Sequence, residues 1–324
     1  MNEQEALSRM VSPGMPRNGI WRKGVLQIII CRSCDRACAH CTQGSGFLGK
    51  SNQMSLDHFA KACDSLKGYF GVVGVFAGNP ATHKQFDEIC EIMRDKIPYE
   101  QRGIWCNNPL GKGKTMRATF RPDISNLNVH LDMDAYNEFA RDWPECAVYL
   151  KGHDKDSRHG PPFVAMADLG LSQEEIWDKA ASCDVNQRWS AAITTVRGEL
   201  RGFFCELAAA QAVLHADNPD WAGTGKPMPD TGVSVVPDWW KQGMDAFAEQ
   251  ARQHCRMCGI PLKGFGQLAV GGDREQYSKS HEFIMRPKLK DRLLELITDR
   301  EQLKEGALGK ATNYMENSSL PIIQ

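Results

Sequence analysis

The 324-residue sequence predicts an α/β fold with a parallel sheet, followed by a smaller α+β part. Short apolar runs rich in β-branched residues, such as those at 25–30 and 72–77, are typical of buried strands. Amphipathic stretches with a helical period separate these runs, which is the βα pattern of a parallel sheet. The composition changes near residue 165, which places the boundary between the two parts there.

The first part is predicted to contain further strands at 103–106, 127–131 and 147–150, with a helix at 135–141. Ser55 is a typical N-cap, and the helix after it presents one apolar face to the core. That face consists of Phe59, Ala62, Cys63, Leu66 and Phe70. A second helix follows the strand at 72–77, and its apolar face consists of Phe86, Ile89, Cys90 and Met93.

The second part begins with a capping box formed by Ser172 and Glu175. A hairpin is predicted next, with a strand at 192–196, a turn at 197–199 and a return strand that ends at Cys205. A helix from Asp238 is expected to run to Cys255, and the charged segment 287–305 is predicted to be another helix. Its apolar stripe consists of Leu289, Leu293, Leu296 and Ile297.

Composition and charge argue against several classes of protein, namely those that bind nucleic acid, associate with membranes or depend on disulfides. The formal net charge is −1, so no global field favours nucleic acid or an anionic membrane. Residues 1–19 lack an apolar signal core, and no apolar run reaches the length of a membrane span. Without a signal, the twelve cysteines indicate metal binding in a reducing cytoplasm rather than disulfides. We therefore expect a soluble cytoplasmic protein, with neither a membrane nor nucleic acid as partner.

Four cysteines follow the first strand within eleven residues, namely Cys31, Cys34, Cys38 and Cys41. Two facing zinc knuckles need a separation of a dozen or more residues, and only three residues separate Cys34 from Cys38. The ferredoxin spacing C-x2-C-x2-C-x3-C also differs from this one. The remaining pattern is Cys34-x3-Cys38-x2-Cys41, and three thiolates on a four-iron cluster leave one iron open to a substrate or cofactor.

This motif resembles the signature of the radical S-adenosylmethionine (SAM) superfamily. The resemblance implies a partial (β/α)6 TIM-like barrel over 25–165, after a lead-in at 1–24. It also implies that Cys34, Cys38 and Cys41 ligate a [4Fe–4S] cluster that binds SAM and cleaves it to a 5′-deoxyadenosyl radical. His40 takes the place of an aromatic residue that usually precedes the third cysteine. Zinc-binding or simply buried thiols are the alternative.

The same resemblance indicates which residues bind SAM. Gly78-Asn79-Pro80 looks like a degraded copy of the Gly-Gly-Glu-Pro end of the second strand, with Asn79 where the acid would be. Asn107, after the third strand, and Asp132, after the fourth, are expected to contact SAM as well. Candidates for substrate contact are Asp134, His153, His159 and Gln267.

A second set of cysteines comprises Cys183, Cys205, Cys255 and Cys258. It resembles the SPASM and twitch auxiliary-cluster domains of radical SAM enzymes, which implies such a domain over 166–285 with one further [4Fe–4S] cluster. The spacing from Gly198 to Cys205 is longer than in those domains. Zinc is an alternative to iron because four thiolates suit either metal. A site without any metal is the other alternative. A C-terminal helix and tail are expected at 286–324.

The function expected from these residues is that of a radical SAM enzyme that removes a hydrogen atom from its substrate. With the second cluster as electron acceptor, the net reaction would be an oxidation (dehydrogenation or cross-linking) of a small molecule, sugar, nucleotide or peptide. An external flavodoxin- or ferredoxin-type protein would supply electrons. The alternatives are a redox-neutral epimerase or isomerase, and an iron–sulfur electron carrier or zinc-binding protein without catalysis.

Overall fold

A computed structural model describes residues 1–18, 23–36, 38, 40–45, 52–130, 132–149, 160–262, 274–285 and 293–306. Eight strands form one sheet in the order β5-β4-β3-β2-β1-β6-β7-β8. Strands β1 to β6 run parallel, and β7 and β8 continue the sheet in antiparallel fashion. The strands are β1 (Val25–Cys31), β2 (Val72–Ala77), β3 (Arg102–Cys106), β4 (Asn126–Asn128), β5 (Val148–Tyr149), β6 (Ala191–Val196), β7 (Glu199–Phe203) and β8 (Val233–Ser234).

Ten helices lie in the described part of the chain. They are α1 (Glu3–Arg9), α2 (Leu56–Ser65), α3 (Phe86–Lys96), α4 (Gly113–Thr119), α5 (Met133–Asp142), α6 (Gln173–Ala181), α7 (Asp184–Arg188), α8 (Glu206–Leu214), α9 (Ala248–His254) and α10 (Arg300–Gly306). Those from α2 to α7 lie between successive parallel strands. A second, two-stranded parallel sheet pairs β9 (Arg274–Tyr277) with β10 (Leu293–Leu296). The α/β class and the mainly parallel sheet predicted from the sequence are therefore confirmed.

Strand β1 lies in the middle of the sheet, between β2 and β6. All seven of its residues are buried, which explains its continuous apolar run. The hairpin β6–β7 joins the sheet through β1, the strand that precedes the first cysteine loop. Arg197 and Gly198 form its turn with positive φ angles of 49° and 81°, as a tight hairpin requires.

Helix α8 follows the hairpin and is buried along its whole length. Such a helix is apolar on all sides except at positions with a specific polar partner. It contacts both β6 and α9, and it begins directly after Cys205. Helix α8 therefore packs between the hairpin and α9, the helix that leads to the later cysteines.

Local signals identified several elements correctly. The Ser55 hydroxyl caps α2 by accepting the His58 N–H, and Ser172 and Glu175 form the predicted capping box of α6. The predicted face of α2 is buried as far as Leu66, whereas Phe70, beyond the helix end, is 47% exposed. The N-terminal lead-in contains α1, a helix that the sequence did not indicate.

Two predicted helices need correction. The segment 287–305 is not one helix, because 293–296 form β10 and α10 begins only at Arg300. The expected helix from Asp238 starts only at Ala248, after two 3-10 turns, because Asp238 has a left-handed φ of 65° and Gln242 is extended. The apolar residues of this segment, Trp240, Met244, Phe247 and Ala251, are nevertheless buried.

Candidate metal centres

The polar ends of the first four parallel strands meet at one edge of the sheet. The cysteine loop follows β1, Gly78 follows β2, Asn107 follows β3 and Asp132 lies four residues after β4. Because the carboxyl ends of parallel strands share an edge, this is where an α/β sheet places its ligand site. The residues predicted to bind SAM therefore lie on neighbouring strand ends.

Cys34, Cys38 and Cys41 form the first cysteine site, on the loop that leaves β1. The thiol of Cys34 lies close enough to the other two to interact with them electrostatically, and burial raises its pKa. The backbone N–H of Arg36 donates to its sulfur, a contact that favours the thiolate. Cys31 is not part of this site, because it is buried as the last residue of β1. All the cysteines of the described chain are free thiols.

A carboxylate lies beside Cys34 at the rim of this site. Asp35 Oδ1 accepts hydrogen bonds from the side-chain amides of Asn79 at 2.8 Å and Asn107 at 3.0 Å. Asp35 Oδ2 accepts another from Asn108 at 3.0 Å. Burial opposes the ionisation of Asp35, but the hydrogen bonds from the asparagines outweigh it and hold the pKa of the carboxyl below its ordinary value. Asp35 stays exposed, so a negative charge held by three amides faces solvent.

The end of β2 packs closely against the start of the cysteine loop. The Asn79 N–H donates to the Ser33 carbonyl at 2.8 Å, and a Cβ at Gly78 would lie 2.5 Å from that same carbonyl oxygen. Only glycine therefore permits this close approach. The Asn79 side chain is fully buried, and its Oδ1 accepts from the Ala81 N–H and the Cys106 thiol. The side-chain oxygen of Asn79, a residue predicted to bind SAM, is thus already hydrogen-bonded within the protein.

His40 is held by the C-terminal strand β9. Its backbone N–H donates to the Glu275 carboxylate, and its Nε2 accepts the Gln276 N–H at 3.0 Å. The residue adopts a left-handed φ of 54° and is 4% exposed. His40 therefore fixes the loop between the second and third cysteines against β9.

Asp132 has two structural partners. Its side chain caps α5 by accepting the Ala135 N–H at 3.0 Å, and it forms an ion pair with Arg36 of the cysteine loop. This ion pair attaches the loop to the end of the fourth strand. Asp134 follows in the first turn of α5. The predicted SAM and substrate contacts of these acids stay predictions.

Cys183, Cys205, Cys255 and Cys258 form the second cysteine site, where all four line one cavity. The cavity has a volume of about 30 Å³ and is partly open to solvent. Cys183 precedes α7, Cys205 precedes α8, and the other two lie at the end of α9. The prediction that these distant positions meet is consistent with this arrangement.

The surroundings of the second site favour protonated thiols as long as no metal is bound. Burial raises the pKa of Cys205 to about 12 and that of Cys255 and Cys258 well above the ordinary value, and the neighbouring thiols raise each further. Against this, backbone N–H groups of Leu207 and Ala208 donate to the Cys205 sulfur at the start of α8. Four thiols that line one cavity are a donor set that fits zinc or an iron–sulfur cluster.

A buried arginine connects the two sites. Arg32 is fully buried, and its guanidinium donates to the Gln43 carbonyl at 2.8 Å and to the Ala209 carbonyl at 3.2 Å. Gln43 lies just after the first cysteine site, and Ala209 lies in α8, behind Cys205. Burial lowers the pKa of Arg32 to about 10, while the nearby Cys41 opposes this shift.

Sequence reasoning missed Asp35, Glu275 and the buried arginines. Asp35 was detectable, since it is an acid inside the cysteine motif, whereas Glu275 and Arg32 give no local signal. His153, His159 and Gln267 lie outside the described residues. Within the described residues, no group of three or more histidine, cysteine or acidic side chains is arranged as the ligands of one metal ion. No helix in that part of the chain combines the length and apolarity needed to cross a bilayer.

Known structures of low sequence identity share part of this chain's path. A crystal structure of BtrN in complex with AdoMet and 2-DOIA aligns with a TM-score of 0.43 and 16% identity, over 75% of this chain and 89% of BtrN. A crystal structure of selenomethionine BtrN in an open conformation has a TM-score of 0.40 and 13% identity, over 76% and 95% of the two chains. A crystal structure of Streptococcus suis SuiB has a TM-score of 0.26 and 16% identity over 36% of this chain, which spans about a quarter (24%) of SuiB. No protein-family model and no curated protein matches the sequence.

Proposed function

We propose that this protein is a radical SAM enzyme whose first cysteine site holds a [4Fe–4S] cluster. The observation that carries the proposal is the grouping of three thiols on the loop after the central strand β1, at the sheet edge that binds ligands. Three thiolates leave one iron without a protein ligand, and SAM can occupy it. When bound, the cluster would supply the electron that splits SAM into methionine and a 5′-deoxyadenosyl radical.

The residues around the first site have definable tasks in this proposal. Asp35 supplies a fixed negative charge beside Cys34, and the amino group of SAM carries the opposite charge. Asp35 therefore takes the role that the sequence assigned to Asn79, while Asn79 and Asn107 hold the carboxylate in position. His40 and β9 cover the loop, which restricts water at the reacting centre.

The second cysteine site is proposed to hold an auxiliary metal centre, with a [4Fe–4S] cluster preferred over zinc. Four thiolates leave such a cluster without an open iron, which favours electron transfer over direct substrate binding. After hydrogen removal, the substrate radical would pass one electron to this site. The substrate would also lose a proton in this step. The net reaction would then be an oxidation of a small molecule, sugar, nucleotide or peptide.

The test is anaerobic reconstitution followed by iron and zinc analysis and by reaction with dithionite and SAM. About eight irons per chain and release of 5′-deoxyadenosine support both centres. About four irons and one zinc, with cleavage, support the enzyme but remove the electron-acceptor role. No 5′-deoxyadenosine from a fully loaded, reduced protein, across a panel of candidate substrates, would overturn the enzyme proposal in favour of an electron carrier.

A further inference from the structure

A second buried arginine lies against the backbone of the second cysteine site. Arg17, in the N-terminal segment, is 2% exposed. Its Nη1 donates to the carbonyl of Asn186 in α7, and its Nη2 donates to the carbonyl of Phe204 at 3.4 Å. Phe204 directly precedes Cys205, and α7 begins directly after Cys183. The guanidinium therefore lies beside the backbone at two of the four cysteines.

The charge of Arg17 has no carboxylate counterpart in contact with it. Among the described residues, it forms no ion pair, and its Nε has no hydrogen-bond partner. The ionisable groups that act on it electrostatically are Tyr69, Cys205, Glu206 and Cys183. Burial raises the pKa of Tyr69, so its phenol is neutral. The Glu206 carboxylate acts on both Arg17 and Arg32, so one carboxylate faces two buried guanidinium groups. The thiols beside Arg17 are the other groups that could balance the second positive charge.

A buried cation without a partner is strongly unfavourable, whereas a buried cation next to an anion is compensated. Four protonated thiols are neutral and offer no compensation. Four thiolates around a zinc ion carry a net charge of −2, and so do four thiolates around an oxidised [4Fe–4S] cluster with a 2+ core. Two buried guanidinium groups beside one carboxylate thus fit an anionic centre better than they fit a set of free thiols.

We propose that Arg17 is the counter-charge of an anionic, thiolate-ligated metal centre in the second cysteine site. The inference rests on the proposed auxiliary centre and names a positioning residue for it outside the cysteine motifs. It also makes the N-terminal segment 1–18 part of that site.

The rest of this segment is attached accordingly. The N–H of Val11 donates to Asn186 Oδ1 at 2.8 Å, and the Asn186 amide donates back to the Val11 carbonyl at 3.0 Å. The N–H of Asn18 donates to the Gln187 carbonyl at 2.9 Å, and Met10 lines the cavity itself. Hydrogen bonds on both sides of Arg17 therefore hold it at α7.

The experiment isolates the second site by replacing Cys34, Cys38 and Cys41 with alanine. In this background, R17Q removes the charge and R17K retains it. R102Q is the matched control, because Arg102 also donates to backbone carbonyls, those of Arg94 and Ile97, at a position on β3. Each protein is reconstituted anaerobically, its metal is counted, and the reduction potential and the rate of metal loss to a chelator are measured.

We expect R17Q to lose metal at least tenfold faster than its parent. If the metal is iron, the reduction potential of the cluster should become more negative in R17Q, because a cation stabilises the reduced, more negative centre. Each tenfold decrease in the equilibrium ratio of reduced to oxidised cluster corresponds to about 59 mV. R17K and R102Q should resemble the parent in both measurements. Equal behaviour of R17Q and R17K in a metal-loaded protein would overturn the role of Arg17. A parent protein that binds no metal would instead overturn the auxiliary centre itself.

Discussion

The carboxylate of Glu275 accepts the backbone N–H of His40 with both oxygens, at 2.8 and 3.0 Å, across 235 positions of sequence. Both residues are almost fully buried. The contact joins the cysteine loop to β9, whose pairing with β10 forms the small second sheet. The C-terminal part of the chain therefore contributes directly to the geometry between Cys38 and Cys41.

Replacing Glu275 should weaken the first metal centre without touching a ligand. In E275A the buried His40 N–H loses its acceptor, at a cost of about 1–3 kcal/mol. E275Q keeps one acceptor oxygen and serves as the matched variant. We expect E275A to lose iron to a chelator faster than wild type, with E275Q in between. Equal rates in all three proteins would show that the contact does not support the loop.

Removal of a triad cysteine should separate the two sites. C34A is expected to lower the iron content from about eight to about four per chain and to abolish 5′-deoxyadenosine formation, since the first site loses a ligand. C31A is the control, because Cys31 lies in β1 outside the triad. It should keep both metal content and SAM cleavage, with a moderate loss of stability from the small cavity. Loss of iron in C31A as well would contradict the assignment of the triad.

Neutralising Asp35 should weaken SAM binding selectively. D35N removes a charge-assisted contact worth about 1.5–3 kcal/mol, which corresponds to a loss of about 10- to 100-fold in SAM affinity. The affinity for 5′-methylthioadenosine should stay unchanged, because this compound lacks the α-amino group of the methionine part of SAM. Equilibrium dialysis of the reconstituted protein with both compounds measures the difference. Parallel losses for both would indicate a general disturbance of the loop.

Restoring an acid at the end of β2 should not improve SAM binding. In N79D the new carboxylate would lack the amide that now donates to Asp35 at 2.8 Å and to the Asn108 carbonyl at 3.0 Å. A second buried carboxylate at this distance repels the first. We expect a lower melting temperature and weaker SAM binding, whereas N79Q should lose stability without the charge penalty. Tighter SAM binding by N79D would return the ammonium contact to this position.

His83 should make the protein sensitive to acid. It is 4% exposed, its Nε2–H donates to the Met54 carbonyl at 3.0 Å, and its Nδ1 accepts the Gln85 N–H at 3.1 Å. Burial lowers the pKa of His83 below 6.5, although the bond to Met54 opposes this shift. The unfolded chain therefore takes up a proton that the folded chain does not, as the pH falls below 6.5.

The stability contribution is present above pH 6.5 and is lost as the pH falls towards the folded-state pKa of His83. The slope contributed by one proton is at most about 1.4 kcal/mol per pH unit. H83Q can still donate to Met54 but does not titrate. Denaturant unfolding between about pH 7.5 and about pH 5.5 (about one unit on either side of the ordinary histidine value) should show a shallower loss of stability in H83Q. An unchanged slope would contradict the assignment.

Much of this protein was determined by its sequence, because the relevant signals are local. The strand at β1, the capping box of α6 and the spacing of Cys34, Cys38 and Cys41 each depend on residues a few positions apart. The spacing predicted a site with three thiolates, and the resemblance of the motif to the radical SAM signature implied its chemistry. The prediction for β10 was wrong because its leucines fit a helical period as well as a strand, and pairing with β9 decides between them.

Only the tertiary structure decided which distant groups meet. The hairpin β6–β7 joins β1 at the centre of the sheet, and three asparagines from two strand ends converge on Asp35. Glu275 contacts His40, and Arg17 contacts the backbone beside Cys183 and Cys205, without any signal near either residue in the sequence. Burial and hydrogen bonding between distant segments depend on how the elements pack. The role of a charged residue such as Arg17 can therefore be inferred only from the residues that surround it in the folded protein.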